Sequence, residues 1–316
     1  MTPKTEKEAG KTRIGLALGS GSARGWAHIG VIRALEQAGI HPDIVCGTSV
    51  GAFVGAAYVD GDLARLEEWV RSLTVQAVVG FLDVSLNGGL IKGERLIEFF
   101  RRHFVDKQIA ELPLAFAAVA TDLQTGREVW LQEGSVIDAV RASIALPGLF
   151  TPARREGRWL VDGGLVNPVP VSLCRAMGAD CVIAVDLNAG LVGRHLKRKP
   201  GKLPRKRKAE PATTLTDTVV ARLQAGMSQL GINPRSAEDK PPAMLDVLAT
   251  SINIMQVLIT RSRLAGDPPD VMISPQLAEL GLMEFHRAAL AIETGQRAAE
   301  RALPQLMALV NQSGEA

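Results

Sequence analysis

No stretch of the chain stays apolar over the ~20 residues that a membrane-spanning helix requires. The first residues, Met1 to Lys11, carry charges of both signs and lack the apolar centre of a secretory leader. Cysteine is scarce: Cys46, Cys174 and Cys181 are the only three, each in an apolar setting. Three are too few for a disulfide framework or a cysteine metal cluster, so they are expected as core residues of a cytoplasmic protein. Acid is missing from one place in particular. Residues 194–208 hold nine Lys or Arg and no Asp or Glu, so a net charge of +3 leaves −6 on the remainder. The basic balance is therefore local and gives no reason to expect a nucleic-acid partner. No internal repeat is present. What is there is 47% hydrophobic and 22% charged, in 316 residues, enough for one large domain or two small ones.

Glycine punctuates the apolar runs in a regular way. Arg13 to Leu18 reads as a strand buried on both faces. Gly19-Ser20-Gly21-Ser22-Ala23-Arg24-Gly25 follows as a loop, and Trp26 to Ala38 as a helix with Ile29, Ile32 and Leu35 on one side, closed by Gly39. Pro42 to Cys46 is a second strand, then a Gly-Thr-Ser-Val-Gly turn, then a helix through Tyr58. Such a βαβα opening implies a parallel sheet covered by helices. Further on, strands are expected at 114–121, 127–131, 159–161, 181–186 and 271–273, and helices at 62–73, 94–103, 135–145, 171–177, 244–264 and 284–309. Ser135 is a candidate N-cap. Residues 74–93 read as irregular, 1–12 as a disordered tail, and 187–242 as a basic, Pro-rich, flexible insertion in a single domain spanning 13–316. The stripe Leu245, Leu248, Ile252, Met255, Ile259 is expected to face the core.

Gly47-Thr48-Ser49-Val50-Gly51 sits where a nucleophile elbow belongs, between a strand and a helix. A serine on that turn stands clear of the sheet, and the positive end of the following helix points back at it. Gly47 and Gly51 keep the strand-to-helix crossing free of a Cβ. A hydroxyl nucleophile also needs a base and donors for an oxyanion. The loop after the first strand supplies backbone N–H groups on a neighbouring strand end, with Arg24 to add charge or hold its shape. A dinucleotide reading of Gly19, Gly21 and Gly25 competes, but the spacing is one residue long and the second strand ends without a carboxylate. For the base there are two candidates. Asp162, in Val161-Asp162-Gly163-Gly164, ends a strand before two glycines, and a desolvated carboxylate reaches the working range of a base. A histidine is the other, among His28, His41, His103, His195 and His286; Ser49, Asp162, His286 would match the α/β-hydrolase order. His28 is placed to pack on or brace the glycine loop.

The set of Arg24-Gly25 after a glycine loop, Gly47-Thr48-Ser49-Val50-Gly51 and Asp162-Gly163-Gly164 resembles the patatin-like phospholipases, in particular the short bacterial branch near the neuropathy target esterases. Gly88 to Glu94, Arg141 to Gly148, Trp159 to Pro170 and Arg263 to Asp270 extend the resemblance. It implies a three-layer α/β/α fold with a mostly parallel central sheet and a Ser–Asp dyad without histidine. Ser49 is then the nucleophile and Asp162 the general base. Gly21, Ser22, Ala23 and Arg24 form the oxyanion hole, and Gly19, Gly25, Gly47, Gly51, Gly163 and Gly164 are motif glycines. The chemistry implied is hydrolysis of phospholipid or lysophospholipid esters through an acyl-enzyme, with no metal or cofactor. Where the family commonly has three glycines before x-Arg-Gly, this chain has Ser20-Gly21-Ser22, and serine tolerates positive φ poorly. Gly164, where alanine is common, is expected to be harmless. A catalytically silent lipid- or protein-binding module is the alternative from another class. Residues 194–208 are a candidate contact with an anionic membrane surface, at ~1 kcal/mol per basic residue, consistent with a cytoplasmic protein peripheral to the membrane.

Overall fold

The computed structural model describes residues 12–81, 94–103, 107–190 and 244–313. The tail, the Gly88 to Gly93 motif and the basic run 194–208 lie outside the described residues. In chain order the first half contains β1 (Ile14–Leu18), α1 (Ala27–Gln37), β2 (Ile44–Thr48), α2 (Val50–Val59), α3 (Leu63–Ser72), α4 (Val75–Phe81) and α5 (Glu94–His103). Then come β3 (Ala115–Asp122), β4 (Glu128–Leu131), α6 (Val136–Ser143), β5 (Ala153–Arg155), β6 (Arg158–Asp162), α7 (Val171–Ala176) and β7 (Cys181–Val185). The chain closes with α8 (Met244–Gly266), β8 (Val271–Ile273) and α9 (Ala288–Ser313). Together they form a three-layer α/β/α fold on one sheet.

Strand neighbours run β5-β6-β3-β2-β1-β7-β8, with β4 also on β3. β1, β2, β3, β7 and β8 are parallel to one another, β4 and β6 pair antiparallel with β3, and β5 pairs antiparallel with β6. Alternation along each strand sorts the two faces. Leu16, Leu18, Val45, Phe116 and Ala118 pack with α1, α2 and α9, while Ala17, Ile44, Cys46, Ala117 and Val119 pack with α7. All three cysteines are free and buried, as their apolar settings predict.

Register on β3 positions the site. β2 and β4 both pair with Ala118 and Val119, so they lie on opposite edges of β3. β4 and β6 both pair with Ala120 and Thr121, so they too lie on opposite edges. β2 and β6 therefore follow each other along one edge, Thr48 beside Val119 and Asp162 beside Ala120. Two segments more than a hundred residues apart thus end on consecutive rungs, one just before Ser49 and the other at Asp162.

Most boundaries fall close to the sequence reading, and four features differ, one of them the unexpected strand β5. The segment read as irregular from residue 74 begins with helix α4, capped by the Thr74 hydroxyl, which accepts from the Ala77 N–H at 3.1 Å. Leu187 and Asn188, assigned to the insertion, are buried beside β7. Among the described side chains of α8, Gln256, Val257 and Thr260 are buried, whereas Leu248 and Met255 are exposed. The apolar stripe is thus split, with Ile252 on the cleft and Leu248 and Met255 exposed, and a polar side chain, Gln256, faces inward.

Candidate active site

Ser49 is the residue between β2 and α2, and its backbone lies at φ 57°, ψ −124°. That left-handed conformation costs a non-glycine residue about 1–3 kcal/mol. Neighbours hold it there. The Ser49 N–H donates to Ser143 Oγ at 2.8 Å, and Ser143 Oγ donates to the Val119 carbonyl at 2.6 Å. Gly51 is required by close approach: a Cβ there would stand 2.1 Å from the Leu18 carbonyl oxygen. Gly25 brings the first loop onto the elbow, since its Cβ would meet Val50 Cγ2 at 2.1 Å. Gly19, Gly47 and Gly163 are pressed against backbone in the same way.

Ser49 Oγ donates to Asp162 Oδ2 at 2.6 Å. The other carboxylate oxygen, Oδ1, accepts from the Gly164 N–H at 2.7 Å. Asp162 is buried, and burial pushes its pKa up from 3.8 to about 6, against the opposing pull of the Ser49 and Gly164 hydrogen bonds. A carboxylate so tuned is ionised at neutral pH yet basic enough to take a proton from a hydroxyl that is itself attacking. No histidine is bonded to either side chain among the described residues. His28 sits under the glycine loop with Nε2 2.7 Å from the Gly19 carbonyl oxygen. Burial lowers its pKa to about 4, so the ring is neutral and Nε2–H donates. His286 lies in the short turn Phe285–Arg287.

The four oxyanion candidates separate. Gly21 and Ser22 line the cleft in front of Ser49. Ser22 does adopt the left-handed region, at φ 51°, and its Oγ donates to the Leu282 carbonyl at 2.6 Å. The hydroxyl anchors a conformation that the Cβ disfavours. The Ala23 N–H is already taken by the same carbonyl, at 3.1 Å. The Arg24 side chain is engaged elsewhere: it is buried, donates from Nη1 to Asn188 Oδ1 at 2.8 Å, and feels the charge of Asp186. Burial lowers its pKa to about 10, so it remains a cation at neutral pH. Its position braces the loop from behind. Val50 supplies a donor absent from the sequence reading. As the first residue of α2 its N–H has no intrahelical acceptor, and Val50 lines the cleft. The elbow rule, which uses the residue after the nucleophile, was the available signal.

The cleft holds about 110 Å³ and is walled mainly by Trp26, Phe53, Trp69, Leu146 and Phe150. Aromatic residues make up only 4% of the chain, so their gathering here gives an apolar trough leading to Ser49. The patatin-like phospholipase family profile matches residues 16–175, half of the chain.

The chain belongs to the patatin-like phospholipase family.

That membership places it among the ester hydrolases. An uncharacterized NTE family protein of Mycobacterium tuberculosis is 34% identical over 92% of this chain and 91% of its own length. The human patatin-like phospholipase domain-containing protein 6 is 39% identical over 56% of this chain and 13% of its own length. Lysophospholipase NTE1 of Pyricularia oryzae is 30% identical over 90% of this chain and 18% of its own length. Within this patatin-like chain, several groups that complete the site lie beyond the matched segment. Asn188, Gln256, the Leu282 carbonyl and Phe285 lie outside the motifs that carry the resemblance.

Proposed function

We propose that the chain hydrolyses phospholipid or lysophospholipid esters through an acyl-enzyme, with Ser49 as nucleophile and Asp162 as general base. The observation that carries this reading is the 2.6 Å hydrogen bond from a strained elbow serine to a buried carboxylate at the end of an apolar cleft. In acylation, Ser49 Oγ attacks the ester carbonyl carbon while its proton passes to Asp162. The carbonyl oxygen becomes an oxyanion facing the N–H groups of Gly21, Ser22 and Val50, with the dipole of α2 behind them. Collapse breaks the bond to the alcohol oxygen, which takes the proton from Asp162. A water then repeats the sequence on the acyl-enzyme: its proton goes to Asp162, its oxygen to the acyl carbon, and Ser49 leaves reprotonated. The aromatic and aliphatic cleft wall suits the acyl chain.

The test is fatty-acid release from phospholipids, lysophospholipids and p-nitrophenyl esters, wild type beside Ser49→Ala and Asp162→Asn. Both variants are expected to lose at least ~10³-fold in kcat, and a fluorophosphonate should label the wild type and not Ser49→Ala. Labelling retained in Ser49→Ala would refute the assignment of the nucleophile. A folded wild type that releases no acid from any ester would favour the binding-module alternative.

A further inference from the structure

Behind the glycine loop runs a buried chain of polar side chains whose polarity is set at one end. Arg24 has only donors. Its bond to Asn188 Oδ1 therefore fixes the Asn188 amide, leaving Nδ2 to donate to the Ser20 carbonyl at 3.2 Å and to Gln256 Oε1 at 3.3 Å. Ser20 Oγ donates to the same Gln256 oxygen at 3.1 Å. With Oε1 holding two donors, the Gln256 amide cannot flip, and Nε2 must face the opposite way. That side is the active site. Gln256 lines the cleft. A Cβ built on Gly164 would stand 2.4 Å from Gln256 Nε2 and 3.0 Å from Asp162 Oδ1, so the amide nitrogen and the carboxylate flank the same small space. Among the described residues no group accepts from Nε2. Gly164 is thus the position whose missing side chain admits Gln256, and alanine there would displace the amide.

We infer that Gln256 is a substrate-contacting donor for the hydrolysis proposed above, its Nε2–H hydrogen-bonding the alcohol oxygen of the ester as that oxygen departs. The placement follows from the proton inventory. The departing oxygen must come within reach of Asp162 to receive the proton that Ser49 gave up, and Gln256 Nε2 stands beside that carboxylate on the cleft wall. A neutral amide there stabilises negative charge on the leaving oxygen without competing for the proton. Because it is tied through Asn188 to Arg24, the arginine of the first loop acts on the far side of the site by fixing which amide atom faces the substrate.

This role depends on the leaving group, which gives a readout that a merely structural role would not move. An aliphatic alcohol leaves poorly and needs the donor, whereas p-nitrophenolate leaves without one. The experiment compares two esters of the same fatty acid, a lysophosphatidylcholine and a p-nitrophenyl ester, by kcat/KM, which reports acylation alone for both. Gln256→Met keeps the length and removes the donor; Gln256→Leu removes it with a shorter, branched side chain. For both variants we expect kcat/KM on the lysophospholipid to fall ~10²-fold and on the p-nitrophenyl ester by less than about 3-fold. Equal loss on the two esters in whichever variant remains folded would overturn the role of Gln256 and leave the hydrolase reading standing. A wild type inert toward the lysophospholipid would overturn the lipid-ester reading, and this inference with it.

Discussion

At Asp162 two properties pull in opposite directions, because the burial that suits the carboxylate to its proposed role as base also makes its charge costly. Its pKa in the folded protein is about 6 against 3.8 for the free group. The folded state therefore binds the proton more tightly than the unfolded state between those values, and stability contributed by this group falls as pH rises through that window. Catalysis needs the opposite form. With the carboxylate as base, kcat/KM should rise with pH along a limb centred near pH 6 and flatten above it. A rate profile flat from pH 5 to 8 would contradict that assignment. Asp162→Asn separates the two properties. Its amide can still accept from Gly164 and donate to Ser49, while the buried charge is gone. Above pH 6 we expect the variant to melt higher than wild type, by on the order of 1–3 kcal/mol, while being inactive. Thermal melts at pH 5 and pH 8 check this, with the advantage larger at pH 8.

Among the elements, the strand-to-helix segments around Ser49 and the first loop were legible because their signals are local: apolar runs, glycines at crossings, a serine between them. The pairing of Ser49 with Asp162 was legible only through the family resemblance, since spacing alone left a histidine open and the decisive fact is register on β3. Helix α4 was missed because Val75, Val78 and Val79 favour strand, while the Thr74 cap and the burial of Val78 override that preference. Strand β5 was missed because Ala153-Arg154-Arg155 has no apolar alternation at all. The orientation of α8 could not be read from its many apolar residues, because the face it turns to the site mixes Ile252 with the polar Asn253 and Gln256. Ser22 tests how the first loop is held. If its hydroxyl anchors the loop to Leu282, Ser22→Ala loses the bond and keeps the disfavoured φ, costing about 1–2 kcal/mol and lowering kcat more than it raises KM. Ser22→Gly loses the same bond but relieves the φ, so its melting temperature should lie above that of Ser22→Ala. Equal melting temperatures would mean that the φ of 51° carries no measurable strain.

Taken as a whole molecule, the fold closes by laying its last helix on its first. α9 crosses α1 so closely that a Cβ on Gly30 would stand 1.9 Å from the Ile292 carbonyl oxygen, and one on Gly295 would stand 2.0 Å from that of Ala27. These are backbone contacts in both directions, so no rotamer change can accommodate a side chain and the helices must part. The segment leading into α9 also holds the first loop: Leu282 accepts from Ser22 and Ala23, and Phe285 accepts from Trp26 Nε1 at 3.1 Å. The crossing thus supports the first loop, with its proposed oxyanion donors, through a part of the chain beyond the family match at 16–175. Gly30→Val or Gly295→Val should each destabilise by about 3 kcal/mol, the upper end for overpacking, and lower the melting temperature by roughly 5–10 °C. Gly80→Ala in α4, where a Cβ meets nothing within 4 Å among the described residues, serves as the control and should be neutral or stabilising by up to about 1 kcal/mol. Below their melting points, the two crossing variants should lose kcat with the pH limb of Asp162 unmoved, because the proposed dyad rests on β2, β3 and β6 while the first-loop donors rest on the segment leading into α9. A shift of that limb in Gly295→Val would show instead that the crossing reaches the carboxylate, and would overturn this division between a sheet-borne dyad and a helix-borne oxyanion site.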